Sequence, residues 1–144
     1  MLVVGASGGV GTTAVQLAKL RGAEVTAVAS EEEAAALDAL GADLVIPRGT
    51  DLETALGRKS LTAVVDLVGG DQFQILPELL ARGGRYAVAG AIAGPNVRFD
   101  LRTLYVNDLT LYGCTAPGGY RLREHRRLSS RGPHQAIARS DAPT

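Results

Sequence analysis

The chain opens Met1-Leu2-Val3-Val4-Gly5-Ala6-Ser7-Gly8-Gly9-Val10-Gly11, and no other stretch restricts the fold as much. Three apolar residues run into a glycine-dense turn, and Thr12 to Leu20 then has the composition of a helix. Strand, tight turn and helix start in that order form a backbone cradle. The first N–H groups of a helix lack intrahelical partners, and the helix dipole places partial positive charge beside them. Such a cradle suits the pyrophosphate of a dinucleotide. Gly8 is expected to permit close backbone approach, since a side chain there would fill phosphate space. The N–H groups of Gly9, Val10 and Gly11 are expected to face the phosphates, and Gly11 to let the helix settle on the strand. In the three-glycine fingerprint Ala6 stands at the first position, a small residue in place of glycine; read the other way, Gly5, Gly8 and Gly11 make a GxxGxxG spacing. The bland alternative is that these glycines only tighten a turn.

The remainder of the chain decides between the two. Short β-branched runs alternate with alanine- and leucine-rich stretches, the pattern of a parallel α/β sheet. Strands are expected over 2–4, 24–29, 43–46, 63–67, 85–89 and 109–112, and helices over 10–21, 31–40, 52–56 and 73–81. Ser30 is placed to cap the second helix, with Glu31, Glu32 and Glu33 filling its first turn and Glu33 at the capping-box position. Gly22 and Gly41 suit left-handed positions after helices. Gly83-Gly84 is read as closing the fourth helix, and 90–108 as a long connection. The expected fold class is α/β, a Rossmann-type doubly wound parallel sheet in three layers, as a single domain over 1–115.

Residues 116–144 differ in kind. Through residue 116 the chain carries 9 Lys/Arg against 13 Asp/Glu; from 117 onward it carries 6 Arg against Glu124 and Asp141. Without an apolar period, this basic tail is expected to be disordered or loosely packed. One cysteine, Cys114, allows no internal disulfide and no cysteine metal cluster. No apolar run has the length of a membrane span and no basic leader precedes a hydrophobic stretch, so the cytoplasm is the expected compartment.

The end of the second strand bears on cofactor choice. A free ribose 2′-hydroxyl commonly meets an acidic residue at that point. Here Ser30 follows Ala29, which leaves room for a 2′-phosphate, and Arg48 beyond the third strand is a candidate guanidinium partner. NADP is therefore read over NAD, against the local negative charge of Glu31 to Glu33. Asp66, at the carboxyl end of a central strand, is a candidate to accept backbone N–H groups or shape the cleft. Gly69 and Gly70 are expected to keep backbone close to the ligand. Gly90, Ala91 and Ile92 are expected to line the nicotinamide end.

No proton-transfer apparatus is visible, and no catalytic or metal-binding residue is assigned. Tyr86 and Tyr105 lack a lysine four residues on, His125 and His134 stand in the tail without a cysteine cluster, and the tail arginines lack interleaved aromatics for nucleic acid.

From residue 2 to about residue 115 the sequence resembles the cofactor-binding domain of the medium-chain dehydrogenase/reductase superfamily, in its quinone oxidoreductase branch and the related zinc-type alcohol dehydrogenases. The resemblance is carried by Gly5 to Gly11, Ala14 to Lys19, Leu40-Gly41-Ala42-Asp43, Val65 to Gly70, Gly83 to Gly90 and Leu109 to Gly113, by their order as much as their content. It implies hydride transfer with NADP or NAD and contacts from Gly8, Gly9, Val10, Ser30, Gly69 and Gly90 to Ile92. It also implies frequent dimerisation through the edge strand, here 109–112. Many NADP-using relatives carry lysine where this chain has Glu33. A separate domain in the family positions a quinone, enone or aldehyde. This chain is accordingly expected to be truncated and not catalytically complete alone, its substrate domain missing. The alternatives are a non-catalytic dinucleotide-binding or sensing module and an atypical short-chain reductase.

Overall fold

A computed structural model describes residues 1–115; the tail, with His125 and His134, lies outside the described residues. Six strands, β1 (Leu2–Val4), β2 (Thr26–Ala29), β3 (Leu44–Pro47), β4 (Leu61–Asp66), β5 (Leu80–Val88) and β6 (Thr110–Gly113), form one sheet. All pairs are parallel and the order is β3-β2-β1-β4-β5-β6. Strand order reverses between β1 and β4, the point at which doubly wound sheets open a crevice at their carboxyl ends.

The period-2 alternation of strands sorts the core onto two faces. Leu2 and Val4 face one side with Val64, Tyr86 and Leu80; Val3 faces the other with Val25, Ala27 and Ala29. Helix α1 (Gly9–Leu20) delivers Val15 and Ala18 to the second side, and α2 (Ala34–Ala39) delivers Leu37. Helix α3 (Leu52–Leu56) contributes Leu52 to the first side, and α4 (Leu101–Val106) packs Leu104 there. Helix layers on both faces of a parallel sheet complete the three-layer arrangement. Among the described residues no helix is long and apolar enough to cross a membrane.

Expectations for several elements change. The helix read over 73–81 is two 3-10 turns, Gly70–Gln74 and Leu76–Leu79, and β5 begins directly at Leu80. Buried Phe73, Leu76 and Leu79 recur every third residue, which suits the three-residue 3-10 turn and drifts off the face of a 3.6-residue helix. Pro77, which cannot donate an amide, enforces the break. Gly83 and Gly84 do not close a helix; they lie within β5, where the pairing jumps from Leu61–Leu80 to Ala63–Arg85. This bulge needs Gly83 at φ +76°, and the Gly83 N–H leaves the ladder to donate to the Asn107 carbonyl at 2.8 Å. Finally, the connection over 90–108 contains α4, whose cap Asp100 accepts the Arg102 N–H at 2.9 Å. Its signal was an aspartate before Leu101 and Leu104, masked by the glycines and proline upstream.

The second helix is shorter than 31–40. Glu31–Glu33 make a 3-10 turn before α2, and the Glu33 carboxylate turns back to accept the Ser30 N–H at 3.0 Å.

Candidate functional site

The cleft at the switch point has a volume of about 550 Å³, within the range of small-molecule sites. Its walls come from the ends of β1, β2, β4 and β5 and the start of α1. Val4, Gly5, Leu67, Val68 and Arg48 are among the residues that line it.

Of the residues singled out from sequence, Gly8, Gly9, Val10, Gly11, Arg48 and Ile92 line this cleft. Val10 and Ile92 do so as widely exposed apolar side chains, 65% and 89% accessible. Ser30, Gly69, Gly90 and Ala91 do not line it. A Cβ on Gly90 would lie 2.2 Å from the Leu67 carbonyl oxygen, and one on Gly69 would lie 3.1 Å from the Ala91 Cα. These two glycines let the loops after β4 and β5 pack together, the loops being further joined by Ala93 N–H to Val68 O at 2.9 Å and Gly70 N–H to Gly94 O at 3.1 Å. Their small size serves the protein's own packing.

The glycines of the opening turn divide in an informative way. Gly5 sits at φ +80°, and a Cβ on Gly11 would fall 2.3 Å from the Gly5 carbonyl oxygen, so the fold itself requires both. Gly8 has an ordinary extended backbone, φ −72° and ψ 168°, and a Cβ there would meet only the Gly5 oxygen at 3.8 Å; at Gly9 it would meet nothing within 4 Å. The chain's own packing gives no reason for glycine at either position. Both line the cleft, and no part of the chain fills the space a side chain there would take. Helix α1 also begins without a side-chain cap or an acidic residue in its first turn, whereas Asp51 caps α3 and Asp100 caps α4. Donors at the α1 start are thus left to whatever enters the cleft. The cradle fits a pyrophosphate on these grounds.

Asp66 holds the turn after β4 that carries the cleft residues Leu67 and Val68. Fully buried at the end of β4, its Oδ1 accepts the N–H groups of Val68 and Gly69, each at 2.9 Å, and its Oδ2 accepts the Tyr86 hydroxyl at 2.5 Å. Burial first, then the hydrogen bond to Asp66, hold the Tyr86 phenol far above its ordinary pKa. The phenol donates to Asp66 and is closed to solvent.

Beside Arg48, Glu33 collects three donors on one oxygen. Its Oε2 accepts the Ser30 N–H at 3.0 Å, the Ser30 hydroxyl at 2.8 Å and Arg48 Nη2 at 3.0 Å; Arg48 Nη2 also donates to Ser7 Oγ at 3.1 Å. The Ser30 N–H, then the Ser30 and Ser7 hydroxyls and the Arg48 charge, hold the Glu33 carboxyl below its usual range. Ser30 and Arg48 do come together as the sequence suggests, but on Glu33.

Sequence reasoning missed Ser7, Leu67, Val68 and Gln72 as cleft residues. Gln72 Oε1 is buried without a hydrogen-bond partner among the described residues. Its position on a 3-10 turn left no periodic signal. Among the described residues no group of three or more His, Cys, Asp or Glu is placed to hold a metal ion, so a zinc site does not fit these residues.

Residues 9–130 match the family model described as zinc-binding dehydrogenase. An acryloyl-coenzyme A reductase of Sulfurisphaera tokodaii is 38% identical over 115 residues, covering 78% of this chain and 34% of the relative. Escherichia coli K-12 YhdH, solved with bound NADPH, superposes with a TM-score of 0.78 at 30% identity over 90% of this chain and 42% of its own. Bacillus subtilis YhfP, solved with NAD bound, superposes at 0.76 with 34% identity over 90% of this chain and 41% of its own. The chain thus spans about a third of the length of the curated relative and about two fifths of those two structures.

Proposed function

The chain belongs to the zinc-binding dehydrogenases of the medium-chain dehydrogenase/reductase superfamily, and from that premise we propose that residues 1–115 hold a nicotinamide dinucleotide in the cleft between β1 and β4. The observation that carries this reading is the pair Gly8 and Gly9, glycines for which the fold itself has no need, facing the cleft beside an uncapped helix start. The membership also removes the short-chain reductase alternative.

In this reading the N–H groups at the start of α1 bind the pyrophosphate, helped by the helix dipole. Arg48 and Ser7 stand at the adenosine end. Leu67, Val68 and Ile92 give the nicotinamide end an apolar wall that keeps water from the ring. Asp66 and Tyr86 hold the turn after β4 in place. When bound, the nicotinamide supplies or accepts a hydride. The acceptor we propose is an activated carbonyl, enone or quinone, positioned by a separate substrate domain. The competing reading, a dinucleotide sensor without turnover, shares the same site.

The edge strand β6 pairs only with β5 in the described sheet and carries an exposed Tyr112. We assign it as the dimer-forming edge, since an unpaired strand edge invites a second copy.

Calorimetric titration of the full chain with NADH and with NADPH tests the core proposal. Saturable binding of either, abolished by Gly8→Val in a folded variant, is the expected result; no binding of either at millimolar concentration overturns it.

A further inference from the structure

Among the described residues a single buried side-chain oxygen lacks a hydrogen-bond partner, and it is Gln72 Oε1. An acceptor taken out of water without a donor forfeits a hydrogen bond, so folded chains seldom keep one without cause. Its place makes it informative, because Gln72 lines the dinucleotide cleft together with Leu67, Val68, Ala89 and Ile92. A side chain there only for packing would gain from being apolar; methionine has the same length and no oxygen to leave unpaired.

The backbone beneath Gln72 is held. In the 3-10 turn Gly70–Gln74, the Gly70 N–H donates to the Gly94 carbonyl at 3.1 Å and the Gln72 carbonyl accepts the Ile75 N–H at 3.0 Å. Phe73, the next residue, packs edge-on against both Tyr86 and Phe99, with ring centroids 5.1 and 5.4 Å away. The side chain is what remains to move, and no hydrogen bond at Oε1 opposes its turning. We propose that Gln72 is a specificity-determining residue, whose carboxamide turns into the cleft and pairs with an amino-bearing edge of the bound dinucleotide. The inference rests on the dinucleotide reading above. A glutamine carboxamide sets an N–H donor beside an oxygen acceptor. A nicotinamide dinucleotide offers the matching pattern on the carboxamide of the nicotinamide and on the amino edge of the adenine. Binding then supplies the donor that Oε1 lacks in the free chain, and a ligand without the amino group leaves it unpaired.

The test takes whichever of NADH and NADPH the full chain binds tighter, with two analogues of it. One carries an acetyl group in place of the nicotinamide carboxamide, the other hypoxanthine in place of adenine, so each lacks one amino donor. Dissociation constants are measured for all three on the unaltered chain and on Gln72→Met. The expected result is at least about tenfold weaker binding of one analogue by the unaltered chain, and loss of that discrimination in Gln72→Met through weaker binding of the parent dinucleotide. Discrimination against the acetyl analogue assigns the contact to the nicotinamide, and against the hypoxanthine analogue to the adenine. Without ligand, Gln72→Met should melt no lower than the unaltered chain, since it buries no unpaired acceptor. Equal affinity of the unaltered chain for all three ligands overturns the proposal. So does a Gln72→Met variant that keeps the discrimination, or one that melts lower and loses all three ligands alike. If the unaltered chain binds neither NADH nor NADPH, the dinucleotide reading itself fails, and this inference with it.

Discussion

Tyr86 and Asp66, twenty residues apart and on neighbouring strands, share a hydrogen bond of 2.5 Å in a site closed to solvent. Phe73 packs edge-on against the Tyr86 ring with centroids 5.1 Å apart, so the phenol is walled in by an aromatic contact as well. Tyr86→Phe leaves Asp66 Oδ2 buried without its donor. The expected cost is about 2 kcal/mol, read from the midpoint of urea unfolding. An unchanged midpoint would show that water replaces the hydroxyl.

The same pair sets an alkaline limit. In the unfolded chain a tyrosine ionises near pH 10. Folded, Tyr86 keeps its proton to higher pH, so its stabilising contribution is whole below about pH 10 and declines above it. Denaturation curves between pH 9 and 11 should show stability falling more steeply in the unaltered chain than in Tyr86→Phe, the difference approaching about 1.4 kcal/mol per pH unit.

Gly11 and Gly8 should separate folding from binding. Gly11→Ala drives a methyl into the Gly5 carbonyl at 2.3 Å and should destabilise by about 3 kcal/mol or more, seen as a lowered melting temperature. Gly8→Ala has space and should melt near the unaltered chain while losing dinucleotide affinity. The reverse pattern would remove the argument that Gly8 is kept for a ligand.

On the acid side, Asp43 accepts Lys19 Nζ at 2.7 and 2.8 Å and the Val25 N–H at 2.7 Å, joining α1 to the starts of β2 and β3. The Lys19 bond first, then the Val25 N–H, lower its pKa, so its stabilisation is present above the usual aspartate range and fades as pH falls through the folded value. Asp43→Asn should flatten the loss of thermal stability between about pH 5 and 3. An identical acid profile would place the acid sensitivity elsewhere.

If β6 is the dimer edge, sedimentation should show concentration-dependent association, and Tyr112→Lys should shift it to monomer without lowering the melting temperature of the subunit. Unchanged association would move the interface to another surface.

Local chemistry made much of this molecule readable in advance. The β-branched runs, the Gly5–Gly11 turn, the Ser30–Glu33 cap and the left-handed Gly22 and Gly41 are signals confined to a few neighbouring residues, and they were enough for a doubly wound α/β fold with a cleft at the end of β1. Interactions between distant segments decided the rest. Whether Phe73, Leu76 and Leu79 form an α-helix or 3-10 turns depends on the surface of β4 and β5 that they cover, and the β5 bulge depends on the Asn107 carbonyl that receives the Gly83 N–H. Ser30 read alone looks open to a phosphate; only with the chain folded does Arg48 arrive from beyond β3 to meet Glu33 beside it. Periodicity and capping are local and legible in sequence, whereas a charge's partner is set by which strands lie side by side.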